Sequence, residues 1–126
     1  KVALLSGDSD VDFERMKKVF PENATLLFNQ NPHDKLAFIN SLQTDNRKVM
    51  MLGDGLNDSG ALKQSDVGVA VTDDTGVFTP SCDGILEGKK LHQMNTFIQL
   101  GRAATTILKV GFGISFFTIS LLCHLR

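Results

Sequence analysis

The chain has 126 residues, enough for one domain, and its 13 basic and 14 acidic residues give no charge excess that would indicate a nucleic-acid partner. The charge is unevenly distributed, because Lys109 and Arg126 are the only Lys, Arg, Asp or Glu residues in positions 103–126. Cys82 and Cys123 stand far apart with no Cys/His cluster near them, which argues against a disulfide framework or a structural zinc site. The chain starts without Met or a signal-peptide pattern, so we expect Lys1 to lie inside a longer protein.

Short apolar runs alternate with helical patterns along the first part of the chain. Strands are predicted at 2–5, 25–28, 48–52, 67–71 and 83–86, and helices at 11–20, from Pro32 through Leu42, and at 57–64. This alternation predicts an α/β fold with a parallel sheet covered by helices. Such sheets bind ligands just beyond the carboxyl ends of their strands. From Leu91 no strong breaker occurs through Leu125, which predicts one long helix.

The most informative loop follows the third predicted strand and has the sequence Gly-Asp-Gly-Leu-Asn-Asp. It places two carboxylates, Asp54 and Asp58, at the end of a buried strand, and its glycines permit a tight turn beside a ligand. Mg²⁺ binds one or two protein carboxylates and completes its shell with phosphate and water oxygens. The alternative is an ordinary Asp-Gly turn with Asn57 as a helix cap. The whole pattern favours the magnesium site.

Two further loops carry groups that suit a phosphoryl ligand. Ser6 and the amides near Gly7 follow the first strand and could hydrogen-bond phosphoryl oxygens, although an ordinary Ser-Gly turn explains them equally well. Lys35 lies near the first turn of a helix, where the helix dipole disfavours a cation. This placement indicates a role in neutralising phosphoryl charge; the alternative is a solvated surface lysine.

Together these loops resemble the phosphoryl-transfer core of the haloacid dehalogenase superfamily, and most closely the phosphorylation domain of P-type ATPases. The family's Thr-Gly-Asp, Pro-x-Asp-Lys and Gly-Asp-Gly-x-Asn-Asp motifs match residues 6–8, 32–35 and 53–58, and residues 59–71 resemble its Ala-Pro-Ala-Leu-x-x-Ala-Asp-Val-Gly-Ile-Ala-Ile segment. The resemblance implies part of a Rossmann-like, three-layer α/β domain with a parallel sheet.

The resemblance also implies an aspartyl-phosphate mechanism that uses ATP and Mg²⁺. By position, Asp54 is a direct Mg²⁺ ligand, and Asp58 and Asn57 support the metal and phosphoryl site. Lys35 stabilises the phosphoryl group, whose oxygens Ser6 and Gly7 bind. The family's nucleophile lies in an Asp-Lys-Thr-Gly-Thr motif that does not occur in these 126 residues. We therefore expect the chain alone to be inactive, with the nucleophile upstream.

The C-terminal part has the length and composition of a membrane helix. Residues 103–125 would span about 34 Å as a helix, against a bilayer core of roughly 30 Å. Lys109 interrupts the segment, but a lysine near its cytoplasmic end can extend its ammonium to the interface. The alternative is the buried helix of a soluble domain. The predicted organisation is thus a phosphorylation-domain part at 1–88, a connecting helix at 89–102 and a transmembrane helix at 103–125.

Residues 65–88 resemble the heavy-metal branch of the family, especially copper-type pumps. Where that branch carries Tyr-Asn in its ion path, this chain has Cys123 and His124, which could bind a soft cation such as Cu⁺. The expected partners are the transported cation, the lipid bilayer and the rest of the ATPase chain, with residues 1–102 cytoplasmic and no nucleic acid. The alternatives are a soluble haloacid-dehalogenase phosphatase and a non-catalytic, membrane-attached pseudo-enzyme.

Overall fold

A computed structural model describes residues 1–73 and 82–124 of the chain. The chain divides into two compact units, Lys1–Gly88 and Lys89–Arg126. Within the described residues, the first unit contains two parallel sheets, of two and three strands, and three α-helices, whereas the second consists mainly of one long helix.

The first part of unit one is a strand-helix-strand unit. Strand β1 (Ala3–Leu5) pairs in parallel with β2 (Thr25–Leu27), and the connection contains a 3-10 turn (Asp10–Asp12) and helix α1 (Phe13–Val19). The aromatic rings of Phe13 and Phe28 pack edge to face, with centroids 5.9 Å apart. This contact holds the start of α1 against the end of β2.

The second part of unit one is a three-stranded parallel sheet in the order β3-β4-β5. Its strands are β3 (Met50–Gly53), β4 (Val67–Thr72) and β5 (Gly84–Glu87). Helix α2 (Pro32–Thr44) precedes β3, and helix α3 (Ser59–Gln64) connects β3 to β4. A cluster of four buried side chains lies between these helices and β3: Ile39, Met51, Ala61 and Leu62. Burial of this cluster fixes how α2 and α3 lie over the strand that leads to the Gly-Asp-Gly loop.

The five predicted strands and the parallel α/β class are confirmed, with boundaries shifted by up to two residues. Within residues 1–73 and 82–88 the strands form two parallel sheets, because no hydrogen-bonded pairing joins β1 or β2 to the sheet of β3, β4 and β5. The helix predicted from Asn57 begins only at Ser59, since Asp54 holds the preceding amides in a turn. The first helix is also shorter than predicted and begins with a 3-10 turn.

The second unit has a 3-10 segment (Gly88–Gln93) that leads into helix α4 (Met94–His124), which is 31 residues long, or about 46 Å. The helix buries none of its described side chains, and it is long and apolar enough to cross a membrane. Four of its hydroxyl groups, those of Thr105, Thr106, Ser115 and Thr118, donate to carbonyl oxygens four residues earlier. These polar groups are thus satisfied inside the helix, as a lipid environment requires. Leu125 lies outside the described residues, as do residues 74–81 of the heavy-metal-like stretch.

Candidate functional site

Lys35 and Asp58, 23 positions apart in sequence, meet at the start of α2. The Lys35 Nζ lies 2.7 Å from Asp58 Oδ1. Both side chains are largely buried, with exposed fractions of 13% and 12%. A charge-assisted hydrogen bond in such a position orients both groups. The structure therefore brings two of the predicted site residues into direct contact.

A capping box sets the position from which Lys35 projects. The Asn31 side chain accepts hydrogen bonds from the backbone amides of His33 and Asp34, at 2.9 and 3.0 Å. In return, the Asp34 carboxylate accepts one from the Asn31 amide at 3.0 Å. Pro32 occupies the first helical position, where its missing N–H costs nothing. Reciprocal capping fixes the first turn of α2 and hence the direction of the Lys35 side chain.

The Gly-Asp-Gly-Leu-Asn-Asp loop is organised by its own first carboxylate. Asp54 Oδ1 accepts hydrogen bonds from the backbone amides of Leu56 and Asn57, at 3.1 and 3.3 Å. Asp54 is exposed at the end of β3, and Gly55 has a positive φ of 83°. Asp58 packs closely on Gly53, because a Cβ added to Gly53 would lie 2.9 Å from Asp58 Oδ2. The tight loop thus presents Asp54 to solvent while Asp58 turns inward to Lys35.

The loop after β1 closes on itself and on the approach to α2. The Ser6 hydroxyl donates to Asp8 Oδ2 at 3.2 Å and accepts from the Asp8 amide at 3.1 Å. The Ser6 carbonyl accepts from the Gln30 amide at 2.8 Å, so this loop adjoins the residue before the Asn31 cap. The Ser6 hydroxyl is therefore engaged within its loop, and a phosphoryl ligand would compete with Asp8 for it.

The predicted site residues are not equally well assembled. Lys35 contacts Asp58, whereas the Ser6 carbonyl accepts a hydrogen bond from Gln30, two residues before α2. The Asn57 side chain is exposed. In the part of the chain that the structure describes, no three His, Cys, Asp or Glu side chains converge on a metal-sized position. A donor set of one or two carboxylates nevertheless fits Mg²⁺, which leaves most of its coordination positions to phosphate and water.

Cys123 and His124 lie in the last described turn of α4, and both are exposed. Adjacent residues of a helix point about 100° apart, so they do not face a common ligand. A cation bound by either one would need further ligands from elsewhere.

A polar cluster at the far end of α2 was not predicted from the sequence. Asp66 accepts hydrogen bonds from the side chains of Gln43 and Lys48 and from the Val49 amide. The Lys48 hydrogen bond in particular holds the pKa of Asp66 well below its usual range. Its position, between the end of α3 and the start of β4, was the one available signal. A single Asp before a strand is too common to predict such contacts.

Several curated proteins are similar to this chain, although no protein-family model matches it. A copper-exporting P-type ATPase of Staphylococcus saprophyticus is 33% identical over 106 residues, which are 82% of this chain and 13% of that protein. Copper-transporting ATPase 2 of Mus musculus is 33% identical over 115 residues, 86% of this chain and 7% of that protein. A manganese-exporting P-type ATPase of Mycobacterium tuberculosis is 36% identical over 85 residues, 67% of this chain and 12% of that protein.

Solved structures give the same result. A catalytic CPx-ATPase domain, CopB-B, superimposes with a TM-score of 0.58 at 32% identity, covering 66% of this chain and 33% of that domain. The structure of the CopB-B catalytic domain that describes its conformational changes upon nucleotide binding gives a TM-score of 0.51 at 38% identity, covering 56% of this chain and 30% of the other.

Identity of 33% over more than four fifths of its length, together with the shared parallel α/β fold, places the chain in the P-type ATPase family. Within the family, its similarity is to the heavy-metal pumps, the copper and manganese P-type ATPases and the CPx-ATPase catalytic domain. The chain spans only 7% to 13% of the length of the three curated relatives named above.

Proposed function

We propose that residues 1–126 belong to an ATP-driven heavy-metal transporter of the copper type and supply part of its phosphoryl-transfer site. The contact between Lys35 and Asp58 is the observation that best supports this proposal. It joins the Pro-x-Asp-Lys segment to the Gly-Asp-Gly loop, the two segments on which phosphoryl chemistry would depend. Phosphoryl transfer relies mainly on positioning and on neutralisation of charge, and this pair offers both.

Each side chain has a distinct proposed role. Asp54, exposed at the end of β3, would hold Mg²⁺, and Asp58 would support the same site while it orients the Lys35 ammonium. Lys35 neutralises charge on the transferred phosphoryl group, and the loop with Ser6 and Gly7 binds its oxygens. Asn57 completes the site. When bound, Mg²⁺ supplies positive charge that offsets the charge of the ATP phosphates.

The proposed reaction needs groups that these 126 residues do not contain. No Asp-Lys-Thr-Gly-Thr motif occurs in the sequence, so the nucleophilic Asp would come from another part of the full-length protein. The isolated chain is therefore inactive in this proposal. Incubation of the purified chain with Mg²⁺ and radiolabelled ATP should give no acid-stable phosphate on the protein, and incorporated phosphate would contradict the proposal.

The transport part of the proposal depends on α4. The helix would cross the bilayer over residues 103–125, leaving residues 1–102 in the cytoplasm, and Cys123 and His124 would lie near the path of a soft cation such as Cu⁺. The exposed apolar surface of α4 supports this arrangement over that of a soluble phosphatase. A membrane-attached pseudo-enzyme differs from the proposed pump in one respect: it would keep the magnesium site but would lack the upstream nucleophile.

The magnesium assignment can be tested with Mn²⁺, a paramagnetic substitute. Mn²⁺ is titrated into the isotope-labelled 126-residue chain in detergent micelles, and the broadening of backbone amide signals is recorded. Residues 53–58 should broaden first, and Asp54→Asn should weaken Mn²⁺ affinity about tenfold. Asp45→Asn is the matched control, because Asp45 is an exposed carboxylate paired at 3.5 Å with Arg47. Broadening centred elsewhere, or unchanged by Asp54→Asn, would refute the assignment.

A further inference from the structure

Helix α2 is held at both ends by contacts with the segment that surrounds α3. Its 13 residues span about 20 Å, from the capped first turn to the turn that carries Gln43. At the first end, Lys35 binds Asp58, which directly precedes α3. At the other end, Gln43 binds residues at the end of α3 and beyond it. The two sets of contacts are separated by the buried core around Ile39 and Leu62.

The contacts at the far end converge on one carboxylate. Asp66 Oδ2 accepts hydrogen bonds from the Val49 amide at 2.9 Å and from Gln43 Nε2 at 3.2 Å. Its Oδ1 lies 2.8 Å from Lys48 Nζ. Gln43 also exchanges hydrogen bonds with Gln64, whose carbonyl oxygen lies 2.9 Å from Gln43 Nε2. Asp66 thus joins the end of α2, the residue before β3 and the start of β4.

The elements that meet at Asp66 are the ones that carry the candidate site at their other ends. Helix α2 carries Lys35, and β3 leads into the loop with Asp54 and Asp58. Because a helix and a strand move nearly as rigid bodies, a shift at one end changes the separation at the other. Small displacements of reacting groups have large effects on phosphoryl-site chemistry.

We propose that Asp66 is a positioning residue for the magnesium and phosphoryl site. It acts on that site indirectly, through its hydrogen bonds to Gln43 of α2 and to Val49, the residue before β3. The inference rests on the proposed function, which identifies the positioned groups as a magnesium and phosphoryl site. The coupling between the two ends of α2 can be measured without that assumption. Asp66 fixes the distance between helix and strand, so that Lys35 and Asp58 meet without further adjustment.

The three partners of Asp66 contribute unequally. The Lys48 side chain is 87% exposed and belongs to neither α2 nor β3, so its ion pair with Asp66 contributes little to their alignment. The Val49 amide and the Gln43 side chain belong to the elements that are to be aligned, so they carry the positioning effect. Gln43→Ala should therefore act like Asp66→Ala, whereas Lys48→Ala should have little effect.

The first test measures Mn²⁺ affinity at residues 53–58 of the full 126-residue chain in micelles, well below the melting temperature of each variant. Asp66→Ala and Gln43→Ala should weaken affinity at least threefold, and Asp66→Asn, which keeps an acceptor for the Val49 amide, should lose less. Lys48→Ala and Asp45→Asn should stay within twofold of the unsubstituted chain. Loss of stability with unchanged Mn²⁺ affinity would reduce Asp66 to an ordinary structural residue.

The second test is a double-mutant cycle on the unfolding equilibrium constant, with Lys35→Met and Asp66→Ala. Lys35 and Gln43 are eight residues apart, about 12 Å along the helix axis, and effects at sites this distant normally multiply. If Asp66 positions Lys35, the effect of Lys35→Met should be at least threefold smaller after Asp66→Ala. If the effects of the two substitutions on the unfolding equilibrium constant simply multiply, Asp66 and Lys35 are not coupled and the proposal is wrong. If the unsubstituted chain binds no Mn²⁺ at residues 53–58, the magnesium assignment fails, and this cycle alone decides the positioning claim.

Discussion

Lys35 Nζ and Asp58 Oδ1 lie 2.7 Å apart in surroundings that leave each side chain only about an eighth exposed. Removal of one partner would leave the other charge largely desolvated and unpaired. We expect Asp58→Ala to lower the free energy of unfolding by about 1–3 kcal/mol. Chemical denaturation of the chain in micelles would measure this change.

The exposed pair of Asp45 and Arg47 provides the control for that experiment. Its atoms are 3.5 Å apart, and both side chains are more than half exposed. Asp45→Ala should change the free energy of unfolding by less than about 0.5 kcal/mol. Equal effects at Asp58 and Asp45 would show that the Lys35 contact contributes no more than a surface ion pair.

Two glycines in adjacent strands should respond very differently to the same substitution. A Cβ at Gly68 in β4 would overlap the backbone carbonyl of Leu62, whose side chain is fully buried. At Gly84 in β5, no atom of the described residues, apart from the glycine and its chain neighbours, lies within 4 Å of the position that a Cβ would take. Gly68→Ala should therefore lower the free energy of unfolding by about 3 kcal/mol, because backbone has to move.

The matched variant Gly84→Ala should leave stability within about 0.5 kcal/mol of the unsubstituted chain, as is usual away from a steric conflict. Thermal melts of both variants under identical conditions give the comparison. If the Gly68→Ala and Gly84→Ala chains had the same melting temperature, β4 and α3 would pack less tightly than the structure indicates.

The sequence predicted the strands well because each one is a short, mainly apolar run that adjoins polar or turn-forming residues. It also placed Lys35 and the Gly-Asp-Gly loop at the correct strand and helix ends, where parallel topology gathers ligand-binding groups. The direct contact between Lys35 and Asp58 could not be read from spacing, because it depends on how the buried side chains of Ile39 and Leu62 seat α2 against α3.

The start of α3, the division into two sheets and the Asp66 cluster could not be predicted from the sequence, because each depends on hydrogen bonds that form only in the folded chain. Asp54 uses its carboxylate to hold the Leu56 and Asn57 amides, and this local competition with helical hydrogen bonding delays the start of α3. The division into two sheets depends on pairing between strands distant in sequence, which apolar patterns do not encode. The Asp66 cluster likewise depends on three segments whose side chains meet only after folding.

Asp66 should make the stability of the chain depend on acidic pH. Its pKa is lowered in the folded chain, first by the Lys48 hydrogen bond and then by those from Val49 and Gln43. A lowered folded-state pKa means that the stabilisation is complete above the unfolded value of about 3.9 and is lost as the pH falls toward the folded value. The advantage in melting temperature of the unsubstituted chain over Asp66→Asn should be constant near pH 6 and shrink below about pH 4.

The comparison with Asp66→Asn isolates this group, because the two chains share all of their other carboxylates. An advantage that persists unchanged at pH 2.5 would show that the charge of Asp66 contributes nothing to folding. An advantage that grows as the pH falls would reverse the sign of the proposed linkage.

Helix α4 should insert into lipid, because its apolar side chains are exposed throughout residues 103–124 and four of its hydroxyls are bonded to its own backbone. Phe117, 71% exposed, lies in the stretch after Lys109 that carries no charge. Phe117→Asp should oppose insertion by about 2.5–3.5 kcal/mol, the cost of a carboxylate near the middle of a membrane helix. Phe117→Leu keeps the apolar character and should insert normally.

Insertion can be measured as the fraction of chain that stays with lipid vesicles after an alkaline carbonate wash. The unsubstituted chain and Phe117→Leu should remain with the vesicles, Phe117→Asp should be largely released, and a chain ending at Arg102 should need no detergent to stay in solution. If the full chain is instead monomeric in detergent-free buffer, then the apolar surface of α4 is covered by protein. In that case the soluble-phosphatase alternative gains over the pump.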